Sequence, residues 1–241
     1  MREARPSNFP TTSWSLVLAA AANPTSDSRA SLAALCKTYW PPIYAFIRRN
    51  GNDRDHAEDL TQAFIVTMLE KNYLAQANRD RGRFRTFLLA AIKHFLANEW
   101  DKAHALKRRG GESVIPIDSM EAEAWYGPDA VEPRTPEAVY ERRWALSLLG
   151  NVMAKLRIEF VALGKPEHFD RLSPLLNRES GADRYDTLAA ELGASAGALR
   201  VAVHRMRRRY RDLLRAEIAE TVSTPEEVDD EIRFLLSAVR A

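Results

Sequence analysis

The chain has 241 residues, enough for one large hydrophobic core or two modest ones. Its 46% hydrophobic and 28% charged residues are those of a globular protein and exclude a disordered or fibrous one. Lys and Arg number 35 against 33 acids, so the net charge of +2 announces no polyanion partner, and Cys36 as the single cysteine excludes a disulfide framework and a cysteine zinc site.

Helical periodicity runs almost throughout and strand alternation is nearly absent, which predicts an all-α fold. A first helix is expected near Ser13. The apolar run Leu16 to Ala22 follows Arg2 and Arg5 but is short and flows into helical sequence, so it reads as fold and not as a secretion signal. No run is long enough to span a bilayer, and the expected location is the cytoplasm, with no membrane partner. A second helix, about Ser28 to Asn50, carries an apolar stripe through Leu32, Leu35, Tyr39, Ile43, Phe46 and Ile47, with Pro41 and Pro42 expected to interrupt or bend it. After Gly51 and Asn52, a third helix over Asp55 to Lys71 places Leu60, Phe64 and Met68 on one face. Asn78 to Gly82 reads as a polar loop, and Phe84 to about Arg109 as a long helix.

Periodicity fades between Gly110 and Pro136, where glycine and proline accumulate, so residues 110–136 read as a linker. Thr135, Pro136 and Glu137 combine an N-cap, a first-turn proline and an acid at the positive end of the dipole, predicting a helix to about Leu163. A short helix over Glu167 to Leu176 follows. The domain plan is therefore an N-terminal helical domain 1–109, the linker, a C-terminal helical domain 137–215, and an acidic extension 216–241.

The most informative stretch is Tyr185 to Arg215. Leu188, Ala189 and Leu192 lie on one side of a short helix, Gly193 suits a left-handed stop, and Ser195 suits an N-cap. Leu199, Val203 and Met206 then give a second helix a buried stripe, the pattern of a helix-turn-helix whose second helix enters the major groove of DNA. Arg200, Arg205, Arg207, Arg208, Arg209, Arg211 and Arg215 follow, dense enough to neutralise several phosphates. The bland alternative is a helical hairpin with a solvated basic face. Basic residues also collect at Lys102 to Arg109, whereas Glu121 to Glu141 and Glu217 to Glu231 are mostly acidic.

DRDHAEDLTQAFIVTMLEK, then RDRGRFRTFLLAAIKHFLANEWDKAHALKRRG, a linker and a helix-turn-helix together resemble an extracytoplasmic-function sigma factor of RNA polymerase, over about Arg29 to Arg215. The most specific elements are Asp59, Leu60 and Gln62 in an acid-Leu-x-Gln pattern, and Gly82, Phe84, Arg85, Phe87 and Leu88 after the polar loop. The resemblance implies that Asp55, Glu58, Asp59 and Gln62 bind the clamp helices of the β′ subunit of core RNA polymerase; the alternative is a solvated first turn. It implies that the next helix faces the start-proximal element of promoter DNA through Arg83, Arg85, Lys93, His94, Asn98, Lys102, Arg108 and Arg109. Of Phe84, Phe87, Phe95 and Trp100, helical spacing assigns most to the core and about one in four to DNA.

By the same resemblance, Ala196, Arg200, Val201, His204 and Arg205 read the upstream element, with Arg207 and Arg208 adding charge. Val201 and Ala202 stand where the family commonly has polar residues, which shifts recognition toward thymine methyls, phosphate and DNA shape. Thr61 is a candidate phosphorylation site, because some relatives are switched by a threonine in that helix, and a surface threonine is the alternative. An anti-sigma factor or a Ser/Thr kinase is accordingly the candidate regulator. The amphipathic helix after Pro225, with Val228, Ile232, Leu235, Leu236 and Val239, is expected either to pack on the last domain or to mask the arginine cluster. No cofactor, metal or enzymatic activity is expected, since glycine phosphate loops, paired histidines and a nucleophile with its base are all missing. The rival class is a helix-turn-helix regulator that binds duplex DNA without polymerase.

Overall fold

The computed structural model describes residues 26–71, 73, 83–107, 134–176, 182–222 and 224–240. Among them are eight α-helices and no strand. They are α1 (Ser26–Arg49), α2 (Arg54–Glu70), α3 (Phe84–Lys107), α4 (Pro136–Ala162), α5 (Pro166–Leu172), α6 (Ala182–Leu192), α7 (Ala196–Ala219) and α8 (Glu227–Arg240). A 3-10 turn, Ser173–Leu175, extends α5. No helix among the described residues is long and apolar enough to cross a membrane. The helix expected near Ser13, the loop Asn78 to Gly82, Arg108, Arg109 and the linker up to residue 133 lie outside the described residues.

Two compact units emerge, residues 1–148 with 218–241, and residues 149–217. The first division falls inside α4, and the tail returns to the N-terminal unit. The plan expected from sequence placed the divisions at the linker 110–136, of which residues 110–133 lie outside the described residues, and at residue 216.

In the N-terminal unit, α1 buries Tyr39, Ile43, Tyr44, Phe46 and Ile47, and α2 buries Ala57, Leu60, Phe64, Ile65 and Met68. Pro41 and Pro42 lie inside α1 and do not interrupt it. They cost the helix two amide donors, but the flanking stripe of buried side chains holds it together from both ends. Asp53 starts α2 by accepting a hydrogen bond from the His56 amide at 2.8 Å. Against these helices α3 lays Phe84, Leu88, Ile92 and Phe95, with edge-on ring contacts from Tyr39 to Phe84 at 5.2 Å and Phe64 to Phe95 at 5.4 Å. The Thr135 hydroxyl accepts from the Ala138 amide at 3.2 Å, so the cap read from sequence is in place at the head of α4. The first half of α4 then contributes Val139, Tyr140, Trp144 and Leu148 to this core, with Tyr140 edge-on to Phe46.

The second unit is built on Leu156, Phe169, Leu172, Leu175, Tyr185, Ala189, Leu199, Val203 and Met206. Its tightest turn joins α6 to α7. Gly193 adopts φ +62°, and paired bonds from the Gly193 amide to the Ala190 carbonyl and from the Ala194 amide to the Ala189 carbonyl close the end of α6. Ser195 then accepts from the Ala198 amide at 3.1 Å and opens α7.

A Cβ placed on Gly193 meets nothing within 4 Å, so the cost of a side chain there is conformational alone. Gly193→Ala is expected to destabilise the second unit by about 1–2 kcal/mol. All five tryptophans lie outside residues 149–217. Urea unfolding followed by circular dichroism should therefore shift while the tryptophan fluorescence transition stays in place; an unshifted dichroism curve would refute the account of the turn.

Candidate nucleic-acid and partner surfaces

Along α2 the solvent-facing positions form one stripe. Asp55, Asp59, Gln62, Val66 and Leu69 recur at three- and four-residue spacing, so their side chains share a face opposite the buried Leu60, Phe64 and Met68. The face is acidic at its N-terminal half, where charge complements the helix dipole, and apolar at its C-terminal half, with Val66 49% exposed and Leu69 36% exposed. Glu58, expected on this surface, is instead buried at the edge of the stripe. Thr61 is 0% exposed, and its hydroxyl donates to the Ala57 carbonyl at 2.6 Å. A phosphoryl group has no room there in this packing, and a kinase has no access to the oxygen. The hydroxyl satisfies itself within the helix, which is how a threonine comes to occupy a core position.

Between α2 and α3 lies an open cleft of about 600 Å³. Phe87 and Phe95 form part of its lining, and His94, Asn98 and Lys102 line it with polar groups. Lys93 is exposed and bonded to Glu137 at 2.7 Å, and Lys102 to Glu99 at 2.7 Å. Lys93 holds the Glu137 carboxyl below the usual carboxylate range by hydrogen bonding to it. Such exposed pairs contribute little and exchange readily for another anion. Among the four aromatic residues of α3 singled out from sequence, Phe84 and Phe95 are buried, Phe87 is half-buried, and Trp100 is 63% exposed on the same side as Lys93 and Ala97.

Arg83 and Arg85, at the head of α3, are placed very differently. Arg85 is 6% exposed and donates from Nε to Glu231 Oε1 at 2.9 Å and from the guanidinium terminus to Oε2 at 3.3 Å. Its guanidinium lies 4.0 Å from the Phe234 ring centroid and 5.0 Å from that of Trp144, and Glu141 approaches it at 3.5 Å. The Tyr140 hydroxyl donates to the Arg85 carbonyl at 3.0 Å. Burial pushes that hydroxyl well above its ordinary value, so it remains a donor. Glu231, 1% exposed, also receives Arg83 at 2.7 Å. In this arrangement Arg85 is a core residue and Arg83 is half-buried beside it.

Sequence reading missed Glu231, although a signal was present. Val228, Glu231 and Leu235 share the buried stripe of α8, and Arg85, Leu88 and Ile92 share that of α3. One acid and one base, each set into an apolar stripe, are a candidate pair because neither can be buried alone.

On α7 the face opposite Leu199, Val203 and Met206 carries Arg200, Val201, His204, Arg205, Arg208 and Arg211, all exposed. Ala196 and Ala202 are half-buried, and Arg200 stacks over Tyr185 at 5.5 Å. Arg207 and Arg209 of the cluster are among those engaged within the unit. Arg207 donates to the Leu175 carbonyl at 2.7 Å and so closes the 3-10 turn, while Arg209 forms a two-bond pair with Glu159. The basic face is real but narrower than the count of arginines implies.

Comparison with protein-family models, with curated proteins and with solved structures gives no match.

The core pair makes a sharp stability prediction. Arg85→Ala leaves Glu231 buried without its main partner and should cost about 3–5 kcal/mol, read as a lowered urea midpoint by tryptophan fluorescence. Replacing both partners together by Met should recover most of that loss. An unchanged midpoint for Arg85→Ala would mean that the pair is not formed in solution.

Proposed function

We propose that the chain is a dissociable initiation subunit of RNA polymerase, which brings the core enzyme to promoter DNA and helps separate the strands. The observation that carries this reading is the solvent-facing stripe on α2, with Asp55, Val66 and Leu69 exposed and Asp59 and Gln62 half-exposed. An acidic half gives register and encounter rate with a basic partner, and an apolar half gives buried area, a combination suited to a protein surface and not to a polyanion. The clamp helices of the polymerase β′ subunit are the partner implied by the acid-Leu-x-Gln pattern.

Strand separation draws on α3. Trp100 offers a stacking face on the side of α3 that also carries Lys93, and His94, Asn98 and Lys102 line the cleft with donors, the parts needed to hold unpaired bases and their backbone. The exposed ion pairs of Lys93 and Lys102 exchange for phosphate at little cost. Arg85 is removed from the set of direct contacts in the conformation described above, and Arg83 contributes only when Glu231 releases it.

Duplex recognition belongs to α6 and α7, whose Gly193 turn and Ser195 cap support a helix-turn-helix reading. Arg200 and Arg205 supply base-edge or phosphate donors, His204 a further polar contact, and the 50% exposed Val201 an apolar contact suited to a thymine methyl. The same face also favours the second reading, a duplex-binding regulator that acts without polymerase; what it leaves unexplained is the mixed stripe of α2.

Two measurements follow. Asp59→Ala and Val66→Asp change exposed or half-exposed positions and should weaken association with core polymerase by roughly 5- to 30-fold each, about 1–2 kcal/mol, while duplex binding by the full chain is retained. Core binding equal to that of the unaltered protein would sink the polymerase reading and favour the regulator. Trp100→Ala should weaken single-strand binding by about 1–3 kcal/mol if a base stacks on the indole, and titration with fluorescent poly(dT) measures it.

A further inference from the structure

The C-terminal helix carries the acid that occupies the two guanidinium groups at the head of the strand-facing helix. Glu231 receives Arg83 at 2.7 Å and Arg85 at 2.9 Å, across 146 residues of chain between Arg85 and Glu231. Val228 and Leu235 flank Glu231 on the buried side of α8, and Phe234 covers the Arg85 guanidinium at 4.0 Å. From α4, Trp144, Glu141 and the Tyr140 hydroxyl also meet Arg85. Removing α8 therefore takes away the main counter-charge and one aromatic cover, and leaves Arg83 without this carboxylate and Arg85 with Glu141 at 3.5 Å as its remaining acid at the head of α3.

We propose that α8 is an intramolecular competitor for nucleic acid, in which the Glu231 carboxylate stands where a backbone phosphate would otherwise meet Arg83 and Arg85. This rests on the reading of α3 as a strand-facing helix. A carboxylate and a phosphate are interchangeable partners for a guanidinium fork, because both present paired oxygens to its parallel N–H groups. A buried ion pair is also a poor permanent fastening, since the desolvation of both ions consumes most of their attraction. The balance between α8 docked and α8 displaced is then small enough for a polyanion to tip it. Val228 and Leu235 are the buried apolar residues of this short helix, Ile232, Phe234, Ala238 and Val239 are half-buried, and the chain before it turns at Thr224 and Pro225 outside any helix, so its release is a local opening.

The mechanism predicts a property absent from a purely structural pair: binding to DNA and docking of α8 exclude each other. The test uses the full chain and single-stranded poly(dT), with no polymerase. In the unaltered protein, hydrogen exchange of residues 227–240 should speed up when poly(dT) binds; unchanged protection at saturating poly(dT) overturns the proposal. Glu231→Gln removes the counter-charge and should bind poly(dT) more tightly, with the slope of log affinity against log salt steeper by about 1.4, roughly 0.7 for each guanidinium released. Adding Arg83→Gln to Glu231→Gln should return about half of that slope. If Glu231→Gln folds and gains neither affinity nor slope, α8 is only a fastening. If it fails to fold, the exchange experiment on the unaltered protein still decides. A gain in poly(dT) binding without polymerase-dependent transcription would uphold this inference while defeating the initiation reading, so the two fail separately.

Discussion

A single buried ion pair governs how the N-terminal unit is assembled. Arg85 and Glu231 are 6% and 1% exposed, and neither is tolerable in the core without the other. Because they lie 146 residues apart in the chain, their pairing draws α8 into the unit formed by α1, α2, α3 and the first half of α4. It also fixes the first turn of α3, whose carbonyl at Arg85 is held by Tyr140 and whose neighbour Arg83 shares the same carboxylate. The surface along the rest of α3 takes its bearing from that anchored end. Without the pair, the tail would be an appendage and Arg85 a surface cation.

Local structure was largely legible in the sequence, because it depends on neighbours in the chain. The Thr135 and Ser195 caps, the Gly193 stop, and the stripes through Leu60, Phe64 and Met68 and through Leu199, Val203 and Met206 all appear where spacing placed them. The proline pair in α1 did not break it, since packing on either side outweighed two missing hydrogen bonds. What spacing did not reveal were partners distant in sequence. Glu231 with Arg85, Glu159 with Arg209, and Arg207 with the Leu175 carbonyl are tertiary facts; the first and third move a charged side chain out of the set free to meet a ligand, while the exposed Arg209 pair can exchange. Thr61 and Glu58 show the same limit, for a helix wheel cannot say which edge of a polar stripe a neighbouring helix covers.

The three candidate surfaces differ in chemistry, which is why they imply different partners. The α2 stripe is acidic and apolar, α3 carries an exposed indole and, in its cleft, neutral and basic donors, and the α7 face is arginine-rich with one exposed valine. The proposed function assigns them a protein helix, an unpaired strand and a duplex groove in that order. A regulator acting on DNA alone has use for the third surface only. An initiation subunit has use for all three.

The most direct test of that account is transcription reconstituted from purified components. The protein is added to core RNA polymerase on a library of promoter fragments, and the 5′ ends of the transcripts are mapped. The account predicts transcripts that depend on the protein, start at defined positions and come from fragments sharing an upstream and a start-proximal element. Failure of the protein to bind core polymerase, together with a transcript profile identical to that of core polymerase alone, would contradict it.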